Sequence, residues 1–275
     1  SGDNTRSLVF RYTVQAGDED LDGIEIADSI DLNGGSISYT VDGVVTDATT
    51  SIPSINSSNY FVDTVSPQVE AITVPANGSY KSGDTLSIVV DYNETLTVVG
   101  SSKLEIDING VTTDFTLSNH SDDQLTYEYT IQSGDDDSDG LSFSSNSITL
   151  NSGSVVDSGG NSANLNLNSL ISLPSLSSIL IDTIAPIVSI DSSPAINISN
   201  ASSYSISGSC TEEGENVELS FESVSTSVTC SGGVWNSGSV DVSGEADSSN
   251  FSLAATQTDE AGNTYTDTIM VNKDT

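Results

Sequence analysis

Basic residues are nearly absent from this sequence. Five Lys and Arg stand against 40 Asp and Glu, for a formal net charge of −35, and there is one histidine. A surface of that sign repels phosphate backbones and anionic bilayers, so nucleic acid is excluded as a partner and membrane insertion is not expected. The histidine, His120, lies in a polar turn beside Asp122 and Asp123 with no nucleophile poised next to it, and reads as an exposed loop residue. Aromatic residues make up 6% of the chain and no groove-forming insertion is visible. The many carboxylates alone do not make a glycosidase, and no enzyme is expected. No apolar run is long enough to span a bilayer. A signal peptide is also missing, but the sequence opens inside a repeat and is expected to be a fragment of something larger. Cysteine is limited to Cys210 and Cys230, 20 positions apart. An even count in a Ser/Thr-rich, Lys-poor chain fits an oxidising compartment. With no His or further Cys beside them, zinc is not expected. A disulfide between neighbouring strands is the expectation, two buried thiols the alternative.

What is present is repetition. Leu8-Val-Phe-Arg-Tyr-Thr-Val-Gln-Ala-Gly-Asp-Glu-Asp-Leu-Asp-Gly23 returns as Leu125-Thr-Tyr-Glu-Tyr-Thr-Ile-Gln-Ser-Gly-Asp-Asp-Asp-Ser-Asp-Gly140, and Val62-Asp-Thr-Val-Ser-Pro67 returns as Ile181-Asp-Thr-Ile-Ala-Pro186. A period of about 118 residues is the size of a domain, so the chain is an array of modules and not a solenoid of short repeats. The apolar residues inside the repeat recur every second position: Leu86, Ile88, Val90 and Tyr92; Leu104, Ile106 and Ile108; Leu125, Tyr127, Tyr129 and Ile131. That is the spacing of strands with one buried face. Helical spacing appears nowhere for a convincing stretch, and Ser, Thr and Asn compete with helices through local hydrogen bonds. The fold class is all-β.

The Asp-Thr-x-x-Pro pieces mark the joints, because proline breaks a ladder and restricts the residue before it. They divide the chain into 1–64, 65–183 and 184–275. Residues 65–183 predict strands near 68–74, 84–92, 103–109, 112–117, 124–132, 143–150 and 163–181, in Greek-key sandwich order of immunoglobulin type. Residues 184–275 predict a shorter sandwich with strands near 203–209, 216–221, 226–231, 239–243, 250–257 and 264–271, and with Trp235 over one end of its core. Residues 1–64 align only with the second half of a module. Half a sandwich leaves a sheet edge and half a core open, so this stretch is either cut from a larger module or completed by strands of another copy.

In sandwich order the loop holding Asp135, Asp137 and Asp139 lies at the same pole as Asp182, facing residues 184–275. The same logic gathers Asp18, Asp20, Asp22 and Asp63 at the earlier joint. Across the joints, the next modules offer Glu94, Asp157 and Asn161, and then Glu212, Glu213, Asp259 and Asn263. Several carboxylates in a small volume repel one another unless a cation sits among them. Hard oxygens on flexible loops suit Ca2+ better than Mg2+, which keeps its own waters. The metal-ligand candidates are therefore Asp18, Asp20, Asp22, Asp63, Glu94, Asp135, Asp137, Asp139 and Asp182, with solvated acidic turns or adaptation to salt as the alternative. These are not EF-hand loops: position twelve is Ser29 or Asn146, and the flanks are strands.

Gly-Asp-x-Asp-x-Asp-Gly followed by Leu32-Asn-Gly-Gly-Ser-Ile37, with Val-Asp-Thr-x-x-Pro at the joint, resembles the tandem immunoglobulin-like repeats of large bacterial surface adhesins. The Asp157-Ser-Gly-Gly-Asn161 and Asp259-Glu-Ala-Gly-Asn263 turns match the Asp-x-x-Gly-Asn turn of that family. The chain departs from the pattern at Asn151-Ser152-Gly153, where the first copy has Asn33-Gly34-Gly35. It departs again in the last segment, which holds only Glu245-Ala-Asp247 in place of the triple-Asp loop. The resemblance implies a secreted, cell-surface stalk or fibre segment, often stiffened by calcium and flanked by neighbouring modules of one parent protein. Two other readings stay open: a module that binds a glycan or protein, and a filament subunit that self-assembles by strand complementation.

Overall fold

The structure, a computed structural model, describes residues 7–169 and 172–275 and is an all-β sandwich array. Two hydrophobic clusters organise it, one drawn from residues between Val69 and Ile181 and the other from Val188 onward. Neither takes a residue from 7–64.

In that first stretch, β1 (Glu19–Asp20) pairs with β4 (Val62–Asp63), and β2 (Ser38–Val41) pairs with β3 (Val44–Asp47). The β2–β3 hairpin turns at Asp42-Gly43, both at positive φ (52° and 80°), the backbone that a tight two-residue hairpin requires. Backbone pairing continues outside the strands, with the Ile24 N–H on the Tyr60 carbonyl (3.0 Å) and the Ile30 N–H on the Thr50 carbonyl (2.8 Å). Many of the apolar side chains, however, are exposed. Phe10 is 71% exposed, whereas Tyr127 at the same repeat position is 0% exposed. Leu8, Tyr12 and Val14 are exposed as well. This half sandwich has its ladder but no opposing layer.

The middle module contains β5 (Val69–Thr73), β6 (Gly78–Tyr80), β7 (Thr85–Tyr92), β8 (Thr97–Ile108), β9 (Val111–Ser121), β10 (Gln124–Thr130), β11 (Ser142–Phe143), β12 (Thr149–Val156) and β13 (Ile179–Ile181). One sheet runs β11-β8-β9-β10-β7-β5, with β12 also on β8, while β6 and β13 pair in parallel. The strands expected at 103–109 and 112–117 are really the arms of one long hairpin. It turns at Asn109-Gly110, again at positive φ (50° and 80°), and pairs from Ile108–Val111 out to Lys103–Thr116. Buried positions alternate along β7 and the second half of β8, placing Leu86, Ile88, Val90, Leu104 and Ile106 inside.

The strand expected over 163–181 is corrected to Ile179–Ile181. Before it, the Asn166 and Asn168 N–H groups donate to the side-chain oxygens of Asn164 and Asn166 (3.0 and 2.9 Å). Local side-chain bonds of this kind compete with a regular ladder. Pairing is left to the isolated bridges Val156–Ser162 and Ser147–Asn166, with the N–H of the fully buried Leu167 on the Asn146 carbonyl (2.8 Å).

The last module contains β14 (Ile196–Asn197), β15 (Ser207–Ser209), β16 (Asn216–Phe221), β17 (Val224–Thr229), β18 (Val234–Asn236), β19 (Ser248–Thr258) and β20 (Thr264–Asp274). The sheet β14-β20-β19-β16-β17 faces the pair β15–β18. The strand expected at 239–243 is reduced to a single Tyr204–Val240 bridge, since Asp241 bonds the Ser243 N–H and hydroxyl locally. Trp235 lies within β18 and not over an end of the core. It is buried opposite Gly208, and its indole N–H donates to the Ser189 and Ser209 carbonyls (3.1 Å each). Cys210 and Cys230 form a disulfide with Cα atoms 6.0 Å apart. It joins the end of β15 to the end of β17, linking the two sheets instead of neighbours within one.

Candidate metal centre at the joints

The two Asp-x-Asp-x-Asp-Gly loops are built alike, and most of their carboxylates serve the loop itself. Asp18 accepts from the Tyr12 hydroxyl (2.8 Å) and the Gln15 N–H (2.6 Å). Asp135 accepts from Tyr129 (2.6 Å) and Gln132 (2.7 Å) in the same way. The Gln15 N–H, then the Tyr12 hydroxyl, hold Asp18 below the usual carboxylate range. Asp20 takes the Gly23 N–H (2.9 Å), and the buried Asp137 takes those of Gly140 and Asn109 (2.7 Å each). Asp22 and Asp139 are exposed. The closing glycine is required by packing: a Cβ on Gly23 would lie 2.6 Å from Ser58 backbone, and one on Gly140 would lie 2.2 Å from the Ser177 carbonyl oxygen. Both also have positive φ, 109° and 92°. The motif folds the loop so that the segment leading into the joint can cross it.

At the first joint, Asp63, Glu94 and Asp157 bring one carboxylate oxygen each within 4.8 Å of one another. Asp63 ends β4, Glu94 follows β7 and Asp157 follows β12, so the group straddles the joint between the first stretch and the middle module. Asp157 is 3% exposed. Its carboxylate is aimed by the Asn161 N–H and side-chain amide (2.8 Å each), and the same amide also donates to the Asp63 carbonyl (3.1 Å). Glu94 is held above its ordinary value, first by loss of solvation and then by the charges of Asp157, Asp63 and Glu19.

Asp63 and Glu94 thus meet as the sequence predicts, joined by Asp157. Asp18, Asp20 and Asp22 are not part of that group. The residue their loop sends toward it is Glu19, which lies directly opposite Asp63 in the β1–β4 pair. The signal that could have found it is strand period two, which puts Glu19 on the other face from Asp18 and Asp20.

The second joint repeats the frame. Asp259 accepts from the Asn263 N–H (2.8 Å) and amide (2.9 Å), and that amide donates to the Asp182 carbonyl (2.9 Å). Asp136, the counterpart of Glu19, accepts from the Thr183 N–H (2.7 Å) and hydroxyl (2.8 Å). Among the described residues, Asp135, Asp137, Asp139 and Asp182 do not enter a three-carboxylate group like that of the first joint. Asp247 takes the Thr275 N–H (3.0 Å) and hydroxyl (2.8 Å) as Asp136 takes those of Thr183. The last module therefore keeps a remnant of the loop.

The chain matches no family model and no curated protein. Solved structures do resemble it. A tetra-tandem repeat in the extending region of a large adhesion protein aligns at 16% identity over 78% of this chain and 51% of that one, with a TM-score of 0.31. A 1.5-MDa bacterial ice-binding adhesin, described for host cell surface retention, aligns at 20% identity over 74% and 65%, with a TM-score of 0.30. The human OSCAR ligand-binding domain aligns at 7% identity over 75% and 99%, with a TM-score of 0.29. This chain spans about half the length of the first and 65% of the second. At these scores the likenesses describe fold alone and carry no functional argument.

Proposed function

We propose that this chain is a stalk segment of an extracellular, cell-surface adhesin or fibre, with a structural and not a catalytic role, whose first joint is stiffened by Ca2+. The observation that carries the reading is the meeting of Asp63, Glu94 and Asp157 within 4.8 Å across the joint. Three carboxylates at that separation repel when bare and push the first stretch away from the middle module. A divalent cation reverses the sign, turning the same residues into a tie between them. Calcium is millimolar outside cells, where a disulfide such as Cys210–Cys230 also persists. The mechanical consequence is an array that is stiff when loaded and hinged when stripped. Small-angle scattering with millimolar calcium and with a chelator tests this. A longer particle and a raised melting temperature in calcium are expected, and identical profiles would leave the carboxylates as solvated turns.

The bare apolar face of residues 7–64 favours a second reading, in which that face docks a complementary half module. Exchange between copies of this chain adds nothing, because each copy carries one more second half than first halves. One face per copy then stays uncovered. The complement would come from another stretch of the parent protein, and a monomer at high concentration in light scattering is the outcome that fits.

A further inference from the structure

The two joints share a frame, and at the second a positive charge enters it. At the second joint Lys81, which follows β6 at the pole facing the last module, sends its ammonium to the carbonyl of Gly262 at 2.7 Å. The residues are 181 apart in sequence. Gly262 belongs to the Asp259–Asn263 turn, with φ at +86°, and its carbonyl accepts across the joint while Asn263 of the same turn donates back to the Asp182 carbonyl. The two bonds cross the joint in opposite directions. The base of the lysine is itself fixed: its N–H donates to the Asp84 carboxylate (3.0 Å), and the Asp84 N–H returns to the Lys81 carbonyl (3.1 Å). At the first joint the turn Asp157–Asn161 keeps the same asparagine bond, to the Asp63 carbonyl. Among the described residues the close carboxylate group forms at the first joint and not at the second.

We propose that Lys81 is a built-in clip that locks the middle and last modules together without a divalent ion, so that one joint of this chain is ion-gated and its neighbour is permanently set. The contrast rests on the calcium reading of the first joint; the clip itself does not. An ammonium fits the second joint for a physical reason. It brings charge and up to three donors on a tethered stem, bonds a carbonyl more strongly than a neutral donor does, and cannot be removed by a chelator. Modules in a chain rotate freely by default unless their contact is extensive, and here a short contact is reinforced by a charged bond anchored at both ends. An array so built keeps the middle and last modules as one lever and confines bending to the first joint.

Pulsed electron spin resonance on the full chain tests this, using spin-label pairs at exposed sites on either side of each joint. Thr116→Cys with Ser227→Cys reports on the second joint, and Thr46→Cys with Thr116→Cys on the first; the native cysteines are disulfide-bonded and take no label. The second-joint pair is expected to give one narrow distance distribution, the same in chelator and in calcium. Lys81→Met, which keeps the apolar stem, should lose that narrow distribution under both conditions, and Lys81→Gln should do the same. An unchanged middle-module melting temperature shows that the variants are folded. A distribution as narrow in both variants as in the native chain overturns the clip, as does a native second-joint pair that narrows only with calcium. A first-joint pair indifferent to calcium overturns the ion reading and leaves the clip standing.

Discussion

Glu94→Gln separates a metal centre from an acidic surface by the sign of its effect. Glu94 faces Asp63 and Asp157 within 4.8 Å. One such pair costs about 0.9 kcal/mol in a water-like dielectric and about 3.5 kcal/mol at an effective constant of 20. Asp63 and Glu94 keep some solvent contact while Asp157 is buried, so the lower figure is the conservative one. Neutralising Glu94 removes two pairs, and in chelator the variant should be more stable by about 2 kcal/mol or more. In calcium the order reverses. With a dissociation constant of about 0.1 mM, within the range of extracellular calcium modules, about 5 mM ion stabilises the native chain by roughly 2 kcal/mol. For a module of about 118 residues that is a rise in melting temperature of roughly 8 °C. Glu94→Gln lacks one ligand and one charge and should lose most of the rise. Calorimetry of both proteins, in calcium and in chelator, reads all four values. Equal calcium responses in the two proteins would refute the argument, since a site that ignores one of its three close carboxylates is not a site.

Two further outcomes follow from the loop and the last module. Gly140→Ala should cost at least about 2 kcal/mol, because a Cβ there meets the Ser177 carbonyl at 2.2 Å on a left-handed backbone. Gly134→Ala, with φ at +97° and nothing within 4 Å, should cost only about 1 kcal/mol in the same urea titration; equal costs would mean that the crossing of 177 over the loop does not matter. Asp247 is held below its ordinary value by the Thr275 hydroxyl, the Lys273 ammonium and the Thr275 N–H. A carboxylate depressed in the folded state contributes stability above its unfolded value of 3.8, and that contribution disappears as pH falls through the lower folded value. Asp247→Asn should therefore flatten the acid side of the last module's stability profile below about pH 4, read by melting at graded pH, and a parallel profile would remove Asp247 from the account.

What could be read ahead of the structure was local, and what could not was a matter of which face a residue takes. Alternation marked β7, the second half of β8, and β10, because Leu86, Ile88, Leu104, Ile106 and Leu125 each sit on a pleat with one buried side. The Asn109-Gly110 pair is legible as a turn between two short strands, but its residues do not say how far the pairing continues on either side. The stretch around Leu165 and Leu167 alternates as a strand does, but Asn164 and Asn166 spend their side chains on the N–H groups two residues on, and pairing shrinks to isolated bridges. The same competition misdirected the site. Three aspartates in a row of alternate positions draw the eye as ligands, while the first two of each set, Asp18 and Asp20 or Asp135 and Asp137, accept N–H groups of their own turn, and the residue between them is offered to the joint. Glu19 and Asp136 were the informative letters, hidden by a motif whose aspartates serve folding. Lys81 left no mark at all, because a bond to a carbonyl asks nothing of the residue that owns it. A carboxylate cluster can be anticipated from composition and repeat order. The cation that a protein supplies for itself becomes visible only once two modules stand against each other.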